Sequence, residues 1–125
     1  KMLYAFDCII IATKDRFSEL DLAIARSAAE WDVPFVFVRT KTDDSLLALK
    51  RERELKGQST ETLVATLRSR VTENIIKQLT PHHLEDRKLF LVSAWAFADE
   101  DAVHMDEAAM IEHVTSVAVR RRGKA

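Results

Sequence analysis

A short polar segment, Thr40-Lys41-Thr42-Asp43, follows an apolar run and contains residue types that could read a nucleotide base. The carboxylate of Asp43 can accept two adjacent hydrogen bonds with charge-assisted strength. Guanine presents such a pair of donors, its N1–H and its 2-amino group. Adenine presents an acceptor at N1 and would leave the carboxylate desolvated and unpaired. Lys41 can lay its aliphatic stem along a purine face while its ammonium stays in water. Taken alone, these four residues also fit a solvated turn.

Three apolar, largely β-branched or aromatic runs predict the strands that would position this segment. The first, Phe6 to Ala12, is continuously apolar after Asp7, which is typical of a strand covered on both faces of a parallel sheet. The second is Phe35 to Val38, and the third is Leu89 to Val92, which leads into Ser93-Ala94-Trp95.

Helical patterns fill the intervals between these runs. Ser18 and Asp21 predict a capping box, and the helix that follows is expected to end near Asp32. Asp44-Ser45 predicts the cap of a short helix that Lys56-Gly57 would end. In the first helix, the residues at helical spacing are Leu20, Ile24, Ala28 and Trp31.

A longer helix is predicted to be capped by Ser59 or Thr60 and to end at Pro81. One of its faces is apolar and is expected to lie in the core: Leu63, Leu67, Val71, Ile75 and Leu79. A last helix is predicted from about Asp106 to Arg120, and its inward residues are Met110, Val114 and Val117.

The alternation of strand and helix predicts an α/β fold with three layers, in which right-handed helical crossovers join parallel strands. With 125 residues and few glycines or prolines, the chain is expected to form one domain, residues 1–125, without linkers. Ligands of such sheets bind beyond the C-terminal ends of the strands. This rule directs attention to the loops after Ile11, Val38 and Val92.

At these loops the sequence resembles the immunity-related, interferon-inducible GTPases. Asp7-Cys8-Ile9-Ile10-Ile11, Arg16-Phe17 and Asp21-Leu22-Ala23-Ile24 are similar to that family's D-x-x-I-I-I, R-F and D-x-L-A-x-x-I passages, and Phe37 to Asp43 is similar to its F-V-R-T-K-x-D. The resemblance covers about residues 5 to 97. It implies that Thr40, Lys41 and Asp43 contact the base of GTP or GDP, with Ser93 and Ala94 beside them. Ser93-Ala94 resembles the start of the S-A-K sequence, whose backbone N–H contacts guanine O6. Trp95 stands where many GTPases carry lysine.

The resemblance places the chain in the C-terminal half of a P-loop GTPase domain. The phosphate-binding sequence G-x-x-x-x-G-K-[ST] is not found in the chain, which has two glycines. Phosphoryl transfer depends on that loop, so no catalytic residue is assigned and the chain alone is not expected to hydrolyse GTP. Mg²⁺ is expected to be bound only by the N-terminal half of such a domain. We expect Phe6 to Ala12 to form an exposed hydrophobic edge that pairs with that half or with a second copy of the chain.

The composition of the chain argues against nucleic acids, membrane spans and metal ions as further partners or features. Nineteen basic and twenty acidic residues argue against nucleic-acid binding, and no apolar run is long enough for a membrane span. We therefore expect a cytoplasmic protein. The four histidines match no metal-ligand spacing, so no metal site is predicted, and the single Cys8 is expected to be a small apolar side chain in a strand.

Two alternatives to nucleotide binding stay open from the sequence. One is a pseudo-GTPase module for protein association, in which the T-K-x-D loop is a relic. The other is a receiver-like signalling domain, which would need an acidic pocket at the strand ends. Ala12-Thr13-Lys14 after the first strand supplies no such pocket.

Overall fold

The structure, a computed structural model, describes residues 7–52, 56–99 and 102–123. Its elements are β1 (Ile9–Thr13), α1 (Glu19–Glu30), β2 (Phe35–Arg39), α2 (Thr42–Lys50), α3 (Thr60–Leu79), a 3₁₀ turn (Thr80–His82), β3 (Leu89–Leu91), α4 (Ala94–Ala98) and α5 (Glu107–Gly123).

Within the described residues, the strands form one parallel sheet in the order β1-β2-β3. The register pairs Thr13 with Arg39 and Arg39 with Leu91, so the three strands end at the same level. This arrangement confirms the predicted α/β fold with a parallel sheet. It also brings the segments after β2 and β3 together at one edge.

Two hydrophobic cores lie on opposite faces of the sheet and produce the three predicted layers. The larger core contains Ile11, Phe35 and Phe37 from the strands, together with the buried faces of α1 and α3. On the other face, Met110 and Val114 of α5 pack against a smaller core: Val36, Val38, Phe90 and Val92. Because alternate residues of β2 enter different cores, this strand is covered on both faces.

The long helix α3 has the predicted buried stripe. All five residues are buried: Leu63, Leu67, Val71, Ile75 and Leu79. Near its C-terminal end, the Gln78 amide donates to Phe17 O and its Oε1 accepts the Phe17 N–H at 2.9 Å. These bonds fasten α3 to the segment that follows β1.

The capping box of α1 is confirmed, since Ser18 and Asp21 exchange side-chain and backbone hydrogen bonds of 2.9 and 3.1 Å. The buried residues of α1 are Leu22, Ala25 and Ala28. Leu20 and Trp31, which share the helical spacing used to predict this element, are exposed. Ala28 is buried and Ile24 packs against the core, so the spacing identified the helix and part of its buried face.

Strand β1 is covered on one face only, contrary to the prediction. Ile11 is buried in the larger core, whereas Ile10 is 47% exposed and Ala12 is also exposed. On that side of the sheet, Met110 and Val114 of α5 pack against side chains of β2 and of the C-terminal end of β3. Phe6, the first residue of the predicted strand, lies outside the described residues, and Cys8 is partly buried.

The second helix was predicted with the wrong boundaries. It begins at Thr42 with Lys41 as N-cap, and it ends at Lys50 rather than at Lys56-Gly57. Asp44 and Ser45 are therefore inside the helix rather than its cap. The prediction also missed α4, which Ser93 caps.

Candidate nucleotide-base site

The turn from β2 into α2 depends on the backbone of Lys41. This residue has φ 57° and ψ 38°, in the left-handed region, and no side-chain hydrogen bond caps the helix there. For a residue with a Cβ, this backbone conformation is less stable than the right-handed one by about 1–2 kcal/mol. The turn leaves the Lys41 side chain exposed at the C-terminal edge of the sheet.

Backbone hydrogen bonds tie the ends of all three strands together around this turn. The Thr42 N–H donates to Val92 O at 3.2 Å, and the Val92 N–H donates to Arg39 O at 2.9 Å. Thr40 donates its N–H and its hydroxyl to Thr13 O, at 2.7 and 3.2 Å. The segments after β2 and β3 are consequently held in a fixed relation.

Arg39 supports the same turn from the end of β2. Its guanidinium donates to Thr40 O and, at 2.8 Å, to Ser45 Oγ. Burial lowers the pKa of Arg39 from its usual value, and the nearby Asp15 carboxylate opposes that shift. Arg39 belongs to the F-V-R-T-K-x-D passage, but no role was predicted for it. Its hydrogen bond to Ser45 forms in a helix that begins at Thr42, earlier than the sequence predicts.

Asp43 lies in the first turn of α2, where the helix dipole favours a carboxylate. It is partly buried and lines a cavity of about 280 Å³. Other walls of this cavity come from the apolar side chains Leu46, Leu47, Leu63 and Val103, the charged Asp44 and Lys50, and Ser93. This volume of about 280 Å³ lies just below the range typical of ligand pockets, about 300–1,000 Å³.

Ser93 and Ala94 form the start of α4 beside this cavity. Ser93 is 1% exposed, and its Oγ accepts the Trp95 N–H at 3.2 Å. Ala94 is exposed and is the first residue of the helix, so its N–H has no partner within that helix. The Trp95 side chain is 67% exposed.

The structure therefore brings two of the five predicted site residues, Asp43 and Ser93, to one cavity. Thr40, Lys41 and Ala94 are not among its lining residues. Thr40 instead anchors the turn to β1 through its bonds to Thr13.

A comparison with protein-family models identifies the family of this chain. The family model described as interferon-inducible GTPase (IIGP) matches residues 1–114. The chain belongs to the interferon-inducible GTPase family. The resemblance derived from the motifs is thus confirmed, and the match extends into α5. No curated protein matches the chain.

Membership in the interferon-inducible GTPase family implies a GTP-binding domain. The family typically uses Mg²⁺ as well. Among residues 7–52, 56–99 and 102–123, no group of three or more His, Cys, Asp or Glu side chains could hold a metal ion. In the same ranges, no helix combines the length and apolar character that a membrane span requires.

The strained turn at Lys41 supplies a test of its own. Glycine adopts the left-handed backbone conformation without steric strain. We therefore expect the free energy of unfolding of Lys41→Gly to be up to about 1 kcal/mol larger than that of Lys41→Ala. Both variants lose the aliphatic stem, and we expect guanine-nucleotide affinity to fall roughly tenfold in each. Urea unfolding and calorimetric titration measure the two effects. Equal affinity in wild type and both variants would remove Lys41 from the site.

Proposed function

We propose that this chain is the guanine-recognising half of a GTP-binding domain, with residues 1–125 forming one partial domain. In this proposal Asp43 accepts N1–H and the 2-amino group of guanine, and Lys41 covers the purine face. The Ala94 N–H donates to O6, and Thr40 fixes the turn. The proposal rests on one observation: Asp43 and Ser93, from the segments that follow two neighbouring parallel strands, line the same cavity.

A carboxylate in the first turn of a helix is well suited to this role. The helix dipole favours a negative charge there, and a carboxylate can accept two adjacent hydrogen bonds. The apolar wall of Leu46, Leu47 and Val103 gives an aromatic base a surface to pack on. Lys50 lies at the same cavity, which balances part of the charge of Asp43 and Asp44.

Hydrolysis would require a part that the sequence does not contain. No G-x-x-x-x-G-K-[ST] sequence occurs, and the glycines are Gly57 and Gly123, far apart in the chain. We therefore propose that a separate segment binds the phosphates and Mg²⁺, and that this chain reads the base.

The direct test is calorimetric titration with GDP and with ADP, first with this chain and then together with any N-terminal half encoded upstream. We expect guanine-selective binding that appears or strengthens when that half is present. Equal binding of GDP and ADP, or no binding in either case, would contradict base recognition and favour an association module.

The exposed edge of the sheet favours that second candidate, a module for protein association. Within the described residues, β1 pairs with β2 on one side only, and Ile10 is 47% exposed on its open face. An edge strand of this kind presents unpaired backbone groups to another chain. The same edge would accept a strand from an N-terminal half.

A substitution on this face separates association from folding. We expect Ile10→Lys to reduce self-association, because charged side chains on edge strands oppose strand pairing. Its free energy of unfolding should change by about 1 kcal/mol or less, since the side chain is already half exposed. Sedimentation equilibrium over a range of concentrations measures the effect. Leu20→Lys, on the exposed surface of α1, is the control. A wild-type chain that stays monomeric at high concentration would exclude self-association through β1.

A further inference from the structure

Glu107, at the start of α5, is a buried carboxylate to which no role was assigned from the sequence. It is 3% exposed, and both of its oxygens accept backbone hydrogen bonds. Oε2 accepts the Ser93 N–H at 2.8 Å, and Oε1 accepts the Met105 N–H at 2.7 Å. A single side chain at the start of α5 thus holds Ser93, two residues after the end of β3, and Met105.

These bonds determine which backbone donor at the start of α4 is left for a ligand. Glu107 takes the Ser93 N–H, and Ser93 Oγ takes the Trp95 N–H at 3.2 Å. The N–H between them belongs to Ala94, which is exposed and has no acceptor within its own helix. The direction of the Ala94 N–H therefore depends on the backbone of Ser93, which Glu107 holds.

We infer that Glu107 is a positioning residue for base recognition: it fixes Ser93 so that the Ala94 N–H points to guanine O6. This inference rests on the proposed function. Glu107 touches no ligand itself. Its charge is placed where the first turn of α5 stabilises a carboxylate, so the same group that holds the loop is itself held by the helix.

A neighbouring group of hydrogen bonds, centred on Asp106, supplies the matched control. Asp106 accepts the Leu91 N–H at 2.8 Å and forms a two-bond ion pair with Arg68 of α3, at 2.8 and 2.9 Å. Asp106 thus also joins the start of α5 to the strand β3, but none of these hydrogen bonds involves Ser93. Arg68→Gln removes the ion pair and leaves both hydrogen bonds of Glu107 intact.

Two modified bases distinguish the proposed contact of the Ala94 N–H with O6 from the proposed contacts of Asp43 with N1–H and the 2-amino group. A 6-thioguanine nucleotide keeps N1–H and the 2-amino group but replaces O6 by sulfur, a weak acceptor. Its affinity relative to guanine reports on the Ala94 N–H. An inosine nucleotide lacks the 2-amino group but keeps O6, so its relative affinity reports on Asp43. A general loss of stability would move both ratios together or neither.

The experiment is calorimetric titration of GDP, 6-thio-GDP and IDP into wild type, Glu107→Gln and Arg68→Gln. In Glu107→Gln, an amide replaces one acceptor by a donor. We expect its preference for GDP over 6-thio-GDP to fall roughly threefold to tenfold, as one neutral hydrogen bond predicts, with GDP over IDP unchanged. Arg68→Gln should keep both ratios. An unchanged ratio of GDP to 6-thio-GDP in Glu107→Gln would overturn the inference.

Hydrogen exchange keeps the inference testable if Glu107→Gln does not fold. In the wild-type chain the amides of Ser93 and Met105 should exchange slowly, and the Ala94 amide should become protected only when GDP is added. Fast exchange at Ser93 without ligand, or no protection of Ala94 by GDP, would contradict the role of Glu107. Absence of guanine-selective binding by the wild type would instead show that the proposed function itself is wrong.

Discussion

Asp43→Asn is expected to lower guanine-nucleotide affinity roughly 10- to 100-fold and to raise the affinity for xanthine nucleotides. The amide keeps one acceptor for N1–H but presents a donor to the 2-amino group, so two donors face each other. Xanthine carries an oxygen at position 2, which can accept from that donor. The fold should change little, because Asp43 is only partly buried and its interaction with the dipole of α2 is worth about 0.3–1 kcal/mol.

Competition titrations with GDP, XDP and ADP measure this change of preference. Asp44→Asn is the matched control, since Asp44 is the next residue, lines the same cavity and is exposed. It should keep the preference for guanine. A shift to xanthine in Asp44→Asn, with none in Asp43→Asn, would move the assignment by one residue. An unchanged preference in both would remove the base-reading role from α2.

Phe37→Ala is expected to lower the free energy of unfolding by about 3–5 kcal/mol, a large share of the 5–15 kcal/mol typical of a domain. Phe37 is 0% exposed at the centre of β2. Its ring packs against Phe17 and Phe35, with centroids 4.8 and 5.6 Å away. Truncation leaves a cavity under the strand whose end carries Thr40 to Asp43, so nucleotide binding should weaken together with stability.

The same truncation at an exposed phenylalanine shows whether burial is the cause. Phe97 in α4 is 46% exposed, and Phe97→Ala should lower the free energy of unfolding by about 1 kcal/mol or less. Urea unfolding followed by circular dichroism measures both variants. Similar losses at the two positions would mean that Phe37 is not central to the core.

Periodicity and local chemistry were sufficient for most of the scaffold. The stripe from Leu63 to Leu79 is buried as its spacing predicts, and Ser18 caps α1 as its spacing to Asp21 predicts. Both features depend on residues within a few positions of each other, and such short-range relations can be read from the chain directly.

The errors have a common physical origin. The start of α2 depends on Lys41 adopting a left-handed backbone, which no local pattern favours for lysine. The open face of β1 at Ile10 depends on the position of α5, whose Met110 and Val114 pack against the smaller core formed by β2 and the end of β3. In both cases distant parts of the chain override the local preference.

The sequence by itself determined the α/β order and the family, and it predicted that Thr40-Lys41-Thr42-Asp43 reads a base, because each of these inferences depends on residues close together in the chain. Only the tertiary structure decided that Asp43 and Ser93 share one cavity and that Arg39 supports the turn. It also decided that Glu107 holds Ser93, fourteen positions earlier in the chain. These relations are contacts between separate elements, and such contacts arise only when strands and helices pack together.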